Sequence, residues 1–227
     1  MRALKLTLAD IHFQFKYGFY FLYLVFTVFY VVILSFLPIE WKRAIASIMI
    51  YSDPAAIGMF FMGAIVLLEK SQRVLDSIAI SPVTIKEYIL AKLISISFIS
   101  TIVGFSISVF ANINRYHYVI ASVLLSSILF SIIGIIVAFR INSLNQFIIA
   151  TVPFQILFTV PPVLLQLGIN EVNIILHPGI CAIRLIYGNE SNPSILIFIL
   201  LIWIILAWFI CIKTVNKAFV QIGGAKL

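Results

Sequence analysis

The chain has 227 residues, of which 63% are hydrophobic and only 10% charged, with a mean hydropathy of +1.18; water-soluble domains are about 45 to 50% apolar and about 25% charged, so composition excludes a soluble globular protein. A helix crosses the roughly 30 Å hydrocarbon layer in about 20 apolar residues, so this length gives roughly five to seven crossings and excludes a separate soluble domain. The net charge of +7 is carried by 15 Lys and Arg scattered through short connecting segments, a distribution that excludes a nucleic-acid surface and reports membrane topology instead.

Residues 1–16 place Leu4, Leu8, Ile11 and Phe15 at helical spacing, with Lys5, His12 and Lys16 off that stripe. This predicts an amphipathic helix lying along the cytoplasmic leaflet; the alternative is a frayed, basic start to the first span. Asp10, His12, Gln14 and Lys16 interrupt the stretch and no small-residue cleavage site follows, so the first span is expected to be retained rather than removed as a signal peptide. Six apolar stretches follow, over 17–37, 54–68, 85–110, 118–139, 147–167 and 194–212. All are expected to be helices, because an open sheet cannot satisfy its backbone in lipid and a barrel needs short alternating strands. The fold expected is thus an all-α polytopic membrane protein with six transmembrane helices, forming a single domain over 1–227.

Even span number puts both termini on one side. Of the 15 Lys and Arg, only Lys42, Arg43, Arg115 and Arg184 fall on the other side, which places the termini in the cytoplasm. The second span is short, about 22 Å from Pro54. Ser52-Asp53-Pro54 reads as a helix start, with Asp53 as N-cap and Pro54 as first helical residue, and Ala44 to Tyr51 as a further outer turn or an interfacial piece. If that piece continues the span, Asp53 stands at membrane depth, where a carboxylate costs roughly 2.5 to 3.5 kcal/mol unless it faces a wet cavity or a partner. Residues 168–193 are too polar to span and too apolar for a plain loop, with a His177-Pro178-Gly179 break between two apolar pieces. A re-entrant or surface-lying helical pair on the outer side is expected there, with His177 and Arg184 as satisfied interface residues rather than ligands.

No phosphate-binding loop is present: Gly58 and Gly63 stand at the right separation but lack the following Lys-Ser/Thr and lie in an apolar span. His12, His117 and His177 occupy different segments, apart from Cys181 and Cys211, so no metal centre is expected. The two cysteines fall on opposite sides and read as inert buried thiols. No span interior holds paired carboxylates or a His-Asp series, so a proton-coupled pump is not expected, and no nucleophile stands with a base as an intramembrane enzyme requires. What stands out is 69–92, EKSQRVLDSIAISPVTIKEYILAK. Val74, Leu75, Ile78, Ile80 and Ile85 form a short apolar face among Glu69, Lys70, Arg73, Asp76, Lys86 and Glu87, stopped at Ser81-Pro82. An apolar face inside a charged cytoplasmic loop is expected to dock on a partner; the alternative is a solvated connector.

The run from Asp53-Pro54 through GMFFMGAIVLLEK to VLDSIAISPVTIKEYILAK resembles the second span, coupling helix and third-span entry of type-2 ABC transporter permeases. HFQFKYGFYFLYLVFTVFYVVILSFLP, near the start, is similar to the small permease subunits of fluoroquinolone or multidrug exporters. The resemblance extends over the whole chain, resting beyond residue 110 on span count and hydropathy. One feature departs from it: the glycine usual after the acidic-basic pair is absent, and Gln72-Arg73-Val74 stands there.

The resemblance implies a cytosolic coupling helix within 69–84. Glu69 and Arg73 would supply charge pairs to an ATPase groove and Leu75 and Ile78 the apolar insertion, beside Asp76, Ser81 and Pro82. It implies two such permeases, identical or paralogous, on two separately encoded ATP-binding subunits; ATP and magnesium belong to those partners, and this chain binds no cofactor and is not itself an enzyme. The export path, by the same resemblance, lies at the dimer axis between the second and fifth spans. Met59, Phe60, Phe61 and Met62 would line it on one side and Phe154, Gln155, Phe158 and Gln166 on the other, suiting an amphiphilic drug-like or natural-product substrate; any one of them equally suits ordinary lipid-facing packing. Pro153, Pro161 and Pro162 are expected to interrupt the fifth helix, for gating or to shape its ends. A haem-export-type permease and an ATPase-independent channel or receptor stand as alternatives.

Overall fold

The computed structural model describes residues 2–52, 57–169, 175–188 and 192–222, and these are helical almost throughout, with no strand among them. In chain order the helices are α1 (Arg2–Lys16), α2 (Phe19–Phe36), α3 (Ile39–Tyr51), α4 (Gly58–Ser71), α5 (Val74–Ala79), α6 (Ile85–Phe110), α7 (Tyr116–Arg140), α8 (Leu144–Gln166), α9 (Pro178–Tyr187) and α10 (Pro193–Ile222). Five of them, α2, α6, α7, α8 and α10, are long and apolar enough to cross a membrane. The chain is therefore a multi-pass membrane protein.

The expected span over 54–68 is not among the five. In its place stand α3, of 13 residues, and α4, of 14, about 20 and 21 Å long at 1.5 Å per residue. The outer turn or interfacial piece expected over Ala44 to Tyr51 is the second half of α3; its first turns went unread because Glu40, Lys42 and Arg43 crowd them and give them the look of a loop. Both readings of Asp53, and the start of the expected span at Pro54, lie outside the described residues. α10 also continues ten residues past its expected end, to Ile222.

α6 begins at Ile85, where the apolar stretch begins. Thr84 accepts the Glu87 backbone N–H at 3.3 Å while the Glu87 carboxylate accepts the Thr84 N–H at 2.8 Å, a reciprocal cap that fixes the first turn. The centre of the bundle is α7, buried over 67% of its span against 11% for α2; it packs on α4, α6, α9 and α10. Small residues permit that closeness, as expected where lipid supplies no hydrophobic drive between helices. A Cβ at Gly134 would stand 2.6 Å from the Met59 carbonyl oxygen of α4, and Ser122 donates to the Ala182 carbonyl of α9 at 2.8 Å.

The prolines do not interrupt α8, which runs unbroken from Leu144 to Gln166. Pro161 and Pro162 have no N–H to give the carbonyls of Leu157 and Phe158, four residues earlier. Side chains from elsewhere meet those two acceptors: Tyr51 of α3 donates its hydroxyl to the Phe158 carbonyl at 2.7 Å, and His177 Nε2 lies 3.0 Å from the Leu157 carbonyl. His177 also caps α9, its Nδ1 accepting the Ile180 N–H at 3.3 Å. Burial holds this imidazole below its ordinary pKa, which favours the neutral ring that can accept at Nδ1 while donating at Nε2. α9 is only about 15 Å long, yet nearly every residue from Pro178 to Ile186 is buried, among α3, α7, α8 and α10. At Gly179 a Cβ would stand 2.5 Å from the Phe158 carbonyl, so glycine is what lets α9 seat against α8.

Candidate functional site

The segment singled out in the sequence begins at the last turn of α4. After Glu69-Lys70-Ser71 the chain reverses through Gln72 and Arg73, and Arg73 adopts φ 56° and ψ 26°. That left-handed conformation suits glycine; it falls within the tripeptide standing where glycine was expected. α5 then packs against α4 and α10. Leu75 is 1% exposed and belongs to the chain's own core, which corrects its expected place as an insertion into a partner. Arg73, Asp76 and Pro82 are exposed, and Ile78 and Ser81 half-buried. Ser81 closes the helix, donating to the Ile78 carbonyl at 2.7 Å. The apolar side chain that does face outward is Ile80, 88% exposed.

Glu69 likewise points inward, not toward a partner. Its Oε1 lies 2.7 Å from Lys92 Nζ on α6, and its Oε2 accepts the Tyr88 hydroxyl at 2.7 Å. Lys92 also reaches Asp10 Oδ1 on α1 at 2.5 Å. Asp10 Oδ2 accepts from Gln14 at 2.8 Å and from the Ser95 hydroxyl. Asp10, Gln14, Glu69, Tyr88, Lys92 and Ser95 are all buried. Two carboxylates thus share one ammonium, and neutral donors complete their hydrogen bonds. Burying such charges removes about as much stability as their pairing returns, so the cluster fixes the mutual geometry of three helices rather than strengthening the fold.

The same contacts explain the two-sided character of α1. Thr7, Asp10 and Gln14, at helical spacing, are buried, and α1 packs chiefly on α6. Leu4, Leu8 and Phe15 are 69%, 59% and 72% exposed. The helix is amphipathic as its spacing predicts, with the polar stripe gripping protein and the apolar stripe left outward.

Lys70, the next residue after Glu69, faces α7. Its Nζ lies 2.8 Å from the Ala138 carbonyl, 3.2 Å from that of Phe139 and 2.9 Å from that of Ile141, closing the C-terminal turn of α7. An ammonium here supplements the long 3.4 Å bond that the Ile141 N–H gives the Ala138 carbonyl, meets the carbonyls of Phe139 and Ile141 as well, and complements the negative end of the helix. The end of α4 is therefore tied through adjacent side chains to α1, α6 and α7.

The expected path residues separate. Met59 and Met62 are fully buried. Phe158 is 6% exposed, packed with ring centroids 5.9 Å from Phe130 and 6.0 Å from Trp203. Phe60 is half-buried against Phe147 of α8, at 6.3 Å, and Phe61 packs edge-on to Tyr23 at 4.9 Å. Phe154 is 38% exposed, with Gln155 beside it accepting from Thr159 at 3.1 Å. Of the eight expected to line the path, Phe60, Phe61, Phe154, Gln155 and Gln166 keep open surface, while Met59, Met62 and Phe158 do not.

Asp10 and Lys92 were not singled out in the sequence. Their signals were the i, i+3, i+7 polar stripe of α1 and a lysine two turns inside an apolar helix.

A family model described as the fluoroquinolones export permease protein family matches residues 1–218. The chain is also similar to two fluoroquinolones export permease proteins of Mycobacterium tuberculosis, from strains CDC 1551 / Oshkosh and ATCC 25618 / H37Rv. Each is 27% identical over 136 residues, covering 59% of this chain and 57% of the relative. The alignment therefore spans little more than half the length of the curated relatives.

Proposed function

The chain belongs to the fluoroquinolones export permease family, and from that membership we propose that it is the membrane-spanning subunit of an ATP-driven exporter of the type-2 ABC class, moving amphiphilic drug-like or natural-product molecules out of a bacterial cell by alternating access. Residues 1–227 act as one transmembrane domain with both termini in the cytoplasm. α3 and α4 together make a sixth crossing, α1 lies along the cytoplasmic leaflet, and α9 is a re-entrant helix on the outer side. Two such subunits, identical or paralogous, stand on two ATP-binding subunits that hold ATP and magnesium.

The observation that carries this reading is the joint between α4 and α5. α5 is a six-residue helix whose Leu75 is anchored in the core and whose C-cap residue, Ile80, faces outward. Its root is tied by Glu69 to α6 and, through Lys92, to α1, and by Lys70 to α7. A partner pressing on α5 moves the end of α4, and these polar contacts pass the displacement to three other helices instead of letting it dissipate. Arg73, Asp76, Ile78, Ile80, Ser81 and Pro82 form the docking face, with Glu69 and Leu75 behind it. Phe60, Phe154 and Gln155 line the route, with Met59 and Phe158 as its backing.

Co-purification from native membranes tests this. Wild-type permease should bring down an ATP-binding subunit in about equal amount, and Ile80→Asp should lose it while the permease itself is recovered undiminished. Reproducible absence of an ATPase from the wild-type preparation overturns the ATP-driven reading. Undiminished recovery with Ile80→Asp overturns the docking face alone.

A further inference from the structure

A cleft of about 810 Å³ opens between the end of α7 and the second half of α10. Arg140, Lys213 and Lys217 line it, together with the neutral polar groups of Asn142 and Thr214. Lys213 and Lys217 are four residues apart on one helix, so they share a face and repel one another. The α7 carbonyls that would ordinarily draw a cation are already met by Lys70, leaving Arg140 with no such task. Among the described residues the ion pairs all belong to Lys92; none reaches this cleft. Among the described residues, three cations thus surround one recess without a counter-charge.

Position limits what that counter-charge can be. α10 has 30 residues, about 45 Å, and exceeds the roughly 30 Å hydrocarbon layer. Lys213 and Lys217 follow its first 20 residues and Arg140 ends α7, so all three stand where hydrocarbon gives way to headgroups. Apolar Ile210 and Phe139 line the same cleft, and Phe209 and Ile210 are exposed in the preceding turn of α10. A bound molecule therefore meets cations at one end and an apolar helix surface at the other.

We propose that the cleft formed by Arg140, Lys213 and Lys217 is a binding site for the phosphate headgroup of an anionic phospholipid, whose acyl chains lie along the apolar surface of α10. A basic recess between membrane helices at headgroup level has the charge and position for this ligand. The proposal does not depend on the ATP-driven reading.

The test uses purified full-length permease in a zwitterionic detergent, titrated with phosphatidylglycerol or phosphatidylcholine, with lipid retention read by native mass spectrometry and stability by thermal unfolding. Wild type should retain and be stabilised by phosphatidylglycerol, with little response to phosphatidylcholine. Arg140→Gln/Lys213→Gln/Lys217→Gln should retain phosphatidylglycerol about a hundredfold more weakly. These side chains are exposed, so the variant is expected to fold; Lys213→Gln alone should show a smaller loss in the same direction. Lys5→Gln/Lys16→Gln/Lys86→Gln removes the same charge elsewhere and should retain the lipid as wild type does. Equal retention by wild type and the cleft variant overturns the proposal, as does equal loss in the charge-matched variant. Equal stabilisation by inorganic phosphate alone also overturns it, since the site would then take an anion and not a lipid.

Discussion

Tyr51 donates its hydroxyl, at 2.7 Å, to the backbone carbonyl of Phe158, the acceptor that Pro162 leaves without a helical donor. α8 is thus held in helical form by a side chain 107 residues away in sequence. The pairing makes α3 and α8 one mechanical unit.

Replacing Tyr51 with Phe strands a buried carbonyl and should lower stability by about 1 to 3 kcal/mol. Pro162→Ala supplies the missing internal N–H, so Tyr51→Phe should cost less in that background. A double-mutant cycle by denaturant unfolding in detergent reads the coupling; strict additivity would show that the hydroxyl is not standing in for the lost donor.

Lys92→Met leaves Asp10 and Glu69 buried with no cation and should destabilise by about 3 to 5 kcal/mol. Adding Asp10→Asn and Glu69→Gln removes the stranded charges and should recover most of that loss. If the triple variant melts as low as Lys92→Met, packing and not charge holds this cluster together.

Arg73→Gly relieves a left-handed conformation that costs an L side chain about 1 to 2 kcal/mol, and should raise the melting temperature. It also removes a charge from the docking face, so recovery of an ATP-binding subunit should fall. Arg73→Ala keeps the backbone strain while losing the same charge, so a stability gain there equal to that of Arg73→Gly would refute the strain account.

Phe154 and Phe158 should part company. Phe158→Ala empties a packed site between Phe130 and Trp203 and should cost about 3 to 5 kcal/mol. Phe154→Ala leaves stability nearly unchanged and should shift which compounds the cell resists. Resistance profiles for a panel of amphiphilic drugs, measured at matched membrane abundance, check the second half of this expectation.

The sequence was most informative where local pattern and long-range packing agree. α6 begins and ends at the residues hydropathy predicted, 85 and 110, because an apolar run bounded by Ser81-Pro82, a capping pair and Asn112 leaves little choice. α7 differs by no more than two residues at either end. α3 was obscure because its charged first turns resemble a loop until the fold supplies something to pack against. The Asp10, Glu69 and Lys92 cluster was invisible for a different reason. Each residue is locally explicable as a polar stripe, a helix end or a positive flank, and only tertiary structure brings the three together. Leu75 shows the converse: its spacing marked an apolar face correctly but could not say whether that face turns toward the chain's own core or away from it.

The contact between α1 and α6 also constrains how the protein is built. Asp10 leaves the ribosome 82 residues ahead of Lys92, a lead on the order of ten seconds at ordinary translation speeds. Until Lys92 arrives, the aspartate has no cation to receive it, and the nascent helix can rest only on the bilayer surface through Leu4, Leu8 and Phe15. α1 therefore reaches its berth only after α2, α3, α4 and α5 have been synthesised.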